Sequence, residues 1–209
     1  MDEFHGRSRL EEIAELLREN LNRILYVVIG IAVIFGIFMY VKQRDAERAL
    51  TARTLIEEAK RHIREDELDE SLDYIRTVLR DYEGTPAFGE ALLYRGRVSI
   101  SAGDYYGAVE YLTRYIDAYP SGALLPEVYS ELGFIHEEKG DFEEAERYYS
   151  MVFREFPQNY LAPKAMIAAA RCLEESGEGE DARALYESLI SVYPWSSFAE
   201  DAMMRLEEL

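Results

Sequence analysis

Apolar and polar positions follow three successive patterns along the chain. From Leu10 onward, Leu10, Ile13, Leu17, Leu21 and Ile24 recur at helical spacing, with Glu12, Glu15 and Glu19 among the other positions. This predicts a short amphipathic helix. Ser8-Arg9-Leu10-Glu11 ahead of it has the form of a capping box. From Ile24 to Val41 the periodicity vanishes and the chain reads ILYVVIGIAVIFGIFMYV, 18 residues without a charge. As a helix that run reaches about 27 Å, close to the roughly 30 Å of a bilayer core. A buried core helix of that length normally carries a polar stripe, whereas this one is apolar all round. Tyr26 near one end and Phe38 and Tyr40 near the other suit the two interfacial belts. A signal h-region is shorter and ends at a small-x-small site. Here Lys42-Gln43-Arg44-Asp45 follows directly, so the segment reads as an uncleaved single-pass anchor. Ala32 and Gly36 form a small-xxx-small pair, a candidate helix contact within the membrane.

Beyond Val41 the pattern becomes a repeat. Gly103-Asp104, Gly140-Asp141 and Gly177-Glu178 are 37 residues apart, and Tyr119-Pro120, Phe156-Pro157 and Tyr193-Pro194 keep that interval. So do Ala108, Ala145 and Ala182, and so do Ile116, Phe153 and Ile190. One period earlier stand Asp66, Ser71, Leu79 and Tyr82, a divergent first copy. Several columns holding one period predict an array of four units. In each unit a helix such as 89–101 should end at a glycine able to take positive φ. A second helix such as 105–118 should stop at the following proline. Gly96, Gly133 and Ala170 on first helices, with the alanine column on second helices, let paired helices approach closely. One pair cannot bury both faces, so neighbours must stack into a solenoid. The expected organisation is an amphipathic tail over 1–23, a membrane helix over 24–41 and a solenoid over 42–209. Its units are about 49–86, 87–122, 123–159 and 160–196, with a capping helix over 197–209. Neither glycine nor proline occurs between Gly36 and Gly84, so the membrane helix should run into the first repeat helix and end near Arg64.

Charge then narrows the function classes. The chain carries 23 Lys+Arg against 41 Asp+Glu, a formal charge of −18. Such an excess argues against nucleic acid and against broad adhesion to anionic lipid. The single cysteine excludes an intramolecular disulfide, and no Cys/His spacing suggests zinc. No catalytic signature, metal site, phosphate loop or cofactor motif is found, so an enzyme, a cofactor and a small-molecule substrate are not expected. His5, His62 and His136 are scattered; His136 shares a column with Ser99 and Leu173 and reads as a packing position. Cys172 aligns with Val98 and Ile135 and reads as a small buried hydrophobe. Glu137-Glu138 and Glu143-Glu144 read as solvated helix faces, and several tyrosines as large packing residues.

A small residue, an alanine twelve on and a proline twelve beyond that resemble the tetratricopeptide repeat. Gly96/Ala108/Pro120, Gly133/Ala145/Pro157 and Ala170/Ala182/Pro194 all fit, with Leu112, Tyr149 and Tyr186 at the position between Ala and Pro. The departure is a 37-residue period where the family has a shorter one. The resemblance implies an all-α solenoid whose first helices line a concave, protein-binding face. Carried across, its lining positions are Tyr94, Arg97, Glu131, Phe134, Ile167 and Arg171. Tyr94, Phe134 and Ile167 would supply apolar area, and Arg97 and Arg171 would hold a partner's carboxylates, while packing within a tight superhelix is the competing use. Trp195, in the column of Ser121 and Gln158, is either a partner anchor or tucked under the cap helix, the second being favoured.

A short tail, one span and such repeats resemble, in architecture, the ancillary subunit of the Sec translocon. This implies an anchored, non-catalytic scaffold in a bacterial inner membrane. Its repeats would be periplasmic, its partners proteins of a translocation or assembly complex, and its lipid contact the anchor. Arg7, Arg9, Arg18 and Arg23 precede the span, whereas Lys42, Arg44, Arg48, Arg53, Lys60 and Arg61 follow it. That count leans toward a cytoplasmic repeat domain. A structural accessory subunit of another membrane complex, or a chaperone-like binder of unfolded clients, are the alternative readings.

Overall fold

The computed structural model describes the backbone of residues 9–208, with side chains for residue 18 and residues 20–208. The capping box at Ser8, the side chains of the amphipathic tail up to Leu17, and His5 lie outside the described residues. Within them the chain is all helical: α1 Arg9–Arg64, α2 Leu68–Asp81, α3 Pro86–Ser101, α4 Tyr105–Ala118, α5 Leu125–Glu138, α6 Phe142–Glu155, α7 Ala162–Glu175, α8 Gly179–Val192 and α9 Ser197–Glu208. The helices form two compact units, residues 1–50 and 51–209.

The first unit holds the apolar part of α1. Its best 18-residue window has a mean hydropathy of 2.7 and none of it is buried, so by length and composition it is one helix able to cross a membrane. Ile34, Phe35 and Phe38 are exposed along it. Helix α1 is unbroken to Arg64, the expected end, and beyond Gly36 neither glycine nor proline occurs in it.

The second unit is a stack of helix pairs, and each turn within a pair is built the same way. Gly103, Gly140 and Gly177 adopt φ of 74°, 77° and 86°, and Asp66 takes the equivalent place at 62°. In every copy the next residue's N–H reaches five residues back, from Asp104 to Ser99, Asp141 to His136, Glu178 to Leu173 and Glu67 to His62, at 2.8–2.9 Å. This is the Schellman closure that satisfies helix C-terminal carbonyls. The second helices α4, α6 and α8 end two residues before Pro120, Pro157 and Pro194. Pro86, Pro126 and Pro163 then occupy the first turn of α3, α5 and α7, where a missing N–H costs nothing. For this reason α3 starts at Pro86, three residues before the start expected from periodicity.

The repeat columns are the core. Ser71, Ala108, Ala145 and Ala182 are fully buried. A Cβ on Gly96 would lie 2.9 Å from Leu112, and one on Gly133 would lie 2.7 Å from the Tyr149 ring. The small-residue column is therefore a place of real close approach. Three apolar clusters run along the array, over α1–α3, α3–α7 and α7–α9. They are joined through residues such as Leu79, Phe153 and Leu185 that pack against two of them. Helix α9 covers the end of the last cluster with buried Ala199 and Ala202.

Candidate functional site

First helices of successive units lie side by side: α3 touches α5, α5 touches α7 and α7 touches α9. Ion pairs stitch them together. Lys60 of α1 pairs with Glu90 of α3. Arg97 of α3 donates from Nε to Glu131 Oε1 of α5 at 2.8 Å, and Arg171 of α7 donates to Glu137 Oε1 of α5 at 3.1 Å. The other Glu137 oxygen accepts the Tyr149 hydroxyl of α6 at 2.8 Å. Burial first, and then the Glu137 carboxylate, push the Tyr149 phenol well above its ordinary range, so it remains a donor.

Between these helices lies a cavity of about 600 Å³. Its lining comes almost wholly from first helices: Arg97 from α3, Glu127 through Glu138 on α5, Lys164 through Arg171 on α7, and Phe198 from α9. Phe134, Ile167 and Ala168 give it apolar walls, and Tyr160 stands on its rim. Arg97, Glu131, Phe134, Ile167 and Arg171 thus come together on one cavity. Tyr94 does not line it; its ring is approached by the cations of Lys60 (5.4 Å) and Arg97 (5.5 Å). Of the two uses open to Arg97 and Arg171, a partner's carboxylates or packing within the superhelix, the structure shows each paired with the groove's own Glu131 and Glu137. Glu137 is likewise not on a solvated face: its side chain is 24% exposed and bridges two helices. Sequence reasoning missed it, together with Glu127, Tyr160 and Lys164. The signal was present in the spacing, because Arg97/Glu131 and Glu137/Arg171 are both 34 residues apart, one repeat less one helical turn.

Family models described as tetratricopeptide repeat match residues 56–123 and 136–194, together more than half of the chain. The chain belongs to the tetratricopeptide-repeat family. Solved structures agree on the TPR fold. A tetratricopeptide repeat protein from Parabacteroides merdae is 16% identical with a TM-score of 0.64, over 76% of this chain and 59% of that one. PilW, a type IV pilus biogenesis factor, is 20% identical with a TM-score of 0.62, over 73% and 67% of the two chains. Pseudomonas aeruginosa pilF is 17% identical with a TM-score of 0.56, over 74% and 66%. A comparison with curated proteins finds no match. A TPR solenoid of this kind is suited to holding protein partners.

The remaining candidates fall outside the TPR groove. Trp195 is not tucked under α9; it is 79% exposed and meets the Tyr193 ring edge-on at 6.3 Å. The reason is that Tyr193 takes the buried position and α9 seats through Ala199 and Ala202, leaving no space that an indole must fill. Trp195 instead borders a cleft of about 460 Å³ with Pro157, Tyr160, Pro163 and Val192. On α1, Ala32 is exposed and a Cβ added to Gly36 would meet nothing within 4 Å. His136 stacks on Tyr148 at 5.5 Å. Cys172 is buried, and loss of water pushes its thiol up to about 12, far from a nucleophile's range. His62, Glu65 and Glu67 place ligand-type atoms within 4.8 Å of one another. Arg61 sits in the same cluster, bonded to Glu65 and beside His62, and supplies there the positive charge a metal would bring.

Proposed function

We propose that the chain is a single-pass, membrane-anchored TPR scaffold that binds protein partners next to an envelope translocation or assembly machine. The observation that carries this reading is the groove on the first helices, apolar at Phe134 and Ile167 and rimmed by charge, with room for side chains of an incoming segment. Binding at such a groove does the work, without a catalytic step. The uncharged run over 24–41 supports an anchor in the lipid bilayer. PilW, a type IV pilus biogenesis factor, is a protein of similar fold. In this reading the chain sits in a bacterial inner membrane with its repeats in the periplasm.

Copurification of the full chain in mild detergent tests the assignment. Translocation or assembly components in fixed ratio are expected. A heterogeneous set of unfolded clients would replace the scaffold with a chaperone-like binder. A single complex retained after Phe134→Ala but lost on replacing the span would mark a structural subunit held by its anchor. Topology is tested with Ser176→Cys in a Cys172→Ala background, since Ser176 is exposed at the end of α7. An impermeant thiol reagent should label it once the outer envelope is opened. Labelling only after the inner membrane is broken would put the repeats in the cytoplasm.

A further inference from the structure

We infer that the groove receives a lysine- or arginine-bearing peptide segment, with a cation of that segment seated at Glu127. This rests on the groove being the partner-binding site and names the chemistry it selects. Both groove guanidiniums are already engaged, Arg97 with Glu131 and Arg171 with Glu137. An acidic partner would therefore meet guanidiniums whose charge Glu131 and Glu137 already offset, although N–H donors remain on each. Glu127 is in the opposite condition. Its side chain is half-buried on the groove lining: Oε2 is turned from solvent without a hydrogen-bond partner, and Oε1, on the exposed side, receives the Tyr160 hydroxyl at a long 3.4 Å. A carboxylate that accepts one long hydrogen bond and makes no ion pair among the described residues is an unmet demand for a donor, which a cation can meet at Oε1.

The surroundings point the same way. Glu127 and Glu131 are one helical turn apart on α5, and the one guanidinium that lines the groove beside them, Arg97, is bonded to Glu131. Glu138, farther along the groove, receives the Tyr105 hydroxyl at 3.3 Å. Lys164, the remaining cation of the lining, is exposed and makes no ion pair among the described residues. Two incompletely matched carboxylates thus outnumber one unpaired cation. Phe134 and Ile167 offer apolar walls for the methylene stem of a lysine or arginine, whose charged head then reaches the rim. The overall charge of −18 adds long-range attraction for a basic segment.

The test uses the full chain in detergent and three fluorescent peptides that share one apolar pattern and carry Lys, Gln or Glu at the polar positions. The Lys peptide should bind about tenfold tighter than the Gln peptide or better. Glu127→Gln should remove most of that gap. Glu187→Gln, which removes an exposed charge on α8, should leave it. Equal losses in the two variants would mean diffuse attraction by net charge and would overturn the assignment to Glu127. Tightest binding by the Glu peptide would also overturn it, while leaving the groove as the site. The groove reading itself fails if Phe134→Ala leaves every affinity unchanged. Should Glu127→Gln lose its helical signal, Glu127→Asp, which keeps the charge but draws it back by one methylene, takes its place: a narrowed Lys–Gln gap supports the seat at Glu127, and an unchanged gap overturns it.

Discussion

Single positions in this solenoid show where a column's usual residue is replaced and what that does. Ser71 occupies the column held elsewhere by Ala108, Ala145 and Ala182; it is fully buried and its hydroxyl oxygen has no partner. The hydroxyl therefore stays desolvated without return, in a helix where alanine has the better propensity. Ser71→Ala should raise stability by about 1 kcal/mol, read as a higher denaturant midpoint with an unchanged slope. A lower midpoint would mean that the hydroxyl is satisfied in solution. Cys172 gives a pH signature. Its thiol rises from an ordinary 9.0 to about 12 in the fold because burial disfavours the thiolate. The unfolded chain then releases this proton first, so stability present below pH 9 is lost as pH rises toward 12. The slope is about 1.4 kcal/mol per pH unit for one proton. Burial raises Tyr149 and Tyr186 as well, and their contribution has the same sign at higher pH. Cys172→Ala should flatten the loss between about pH 9 and 10, where the thiol leads. Parallel curves for the two proteins would show that Cys172 titrates as it does when unfolded.

At the scale of helix pairs, the two glycine contacts are not equivalent. Gly96 faces Leu112, whose terminal methyls can turn aside, whereas Gly133 faces the flat Tyr149 ring, tethered through its hydroxyl to Glu137. Gly133→Ala should therefore cost about 1–3 kcal/mol through overpacking, and Gly96→Ala distinctly less. The two are compared by thermal unfolding of the full chain in detergent. Equal costs would show that the Tyr149 tether yields. If Gly133→Ala is the worse, adding Tyr149→Leu should recover part of the loss, because a leucine side chain, like the Leu112 that faces Gly96, can turn aside. The ordinary surface value of an ion pair, about 0.2–1 kcal/mol, applies to Arg97–Glu131 and Arg171–Glu137, which remain partly exposed. In the proposed reading their larger effect is on which partner charges the groove can meet.

Along the whole molecule, what the sequence discloses is what packing repeats. Gly103, Gly140 and Gly177, and the buried alanines, recur because the same backbone turn and close helix contact recur, so the TPR architecture is legible from spacing. The groove is only half legible. Phe134 and Ile167 follow from the repeat, but the pairing of Arg97 and Arg171 crosses between units and depends on side chains reaching one turn along a neighbour. Trp195 sits in a turn between helices, where no column constrains it, and its exposure could not be read. The same nearest-neighbour logic makes a last prediction. Helix α9 packs on α7 and α8, where Met166, Ile167, Ala170 and Tyr186 share a cluster with its Ala199 and Ala202. Ending the chain after Ser196 should uncover that face and loosen the fourth unit first, since each unit in a stack is held chiefly by its neighbours. Hydrogen exchange should then lose protection across α7 and α8 while α3 and α4 keep theirs. Peptide affinity should fall in step, because Phe198 leaves the groove wall and α7 carries Lys164, Ile167 and Arg171. Uniform loss of protection over all the repeats would instead make the solenoid one cooperative block. In that case the groove would respond to damage anywhere along it, and not chiefly to the helix beside it.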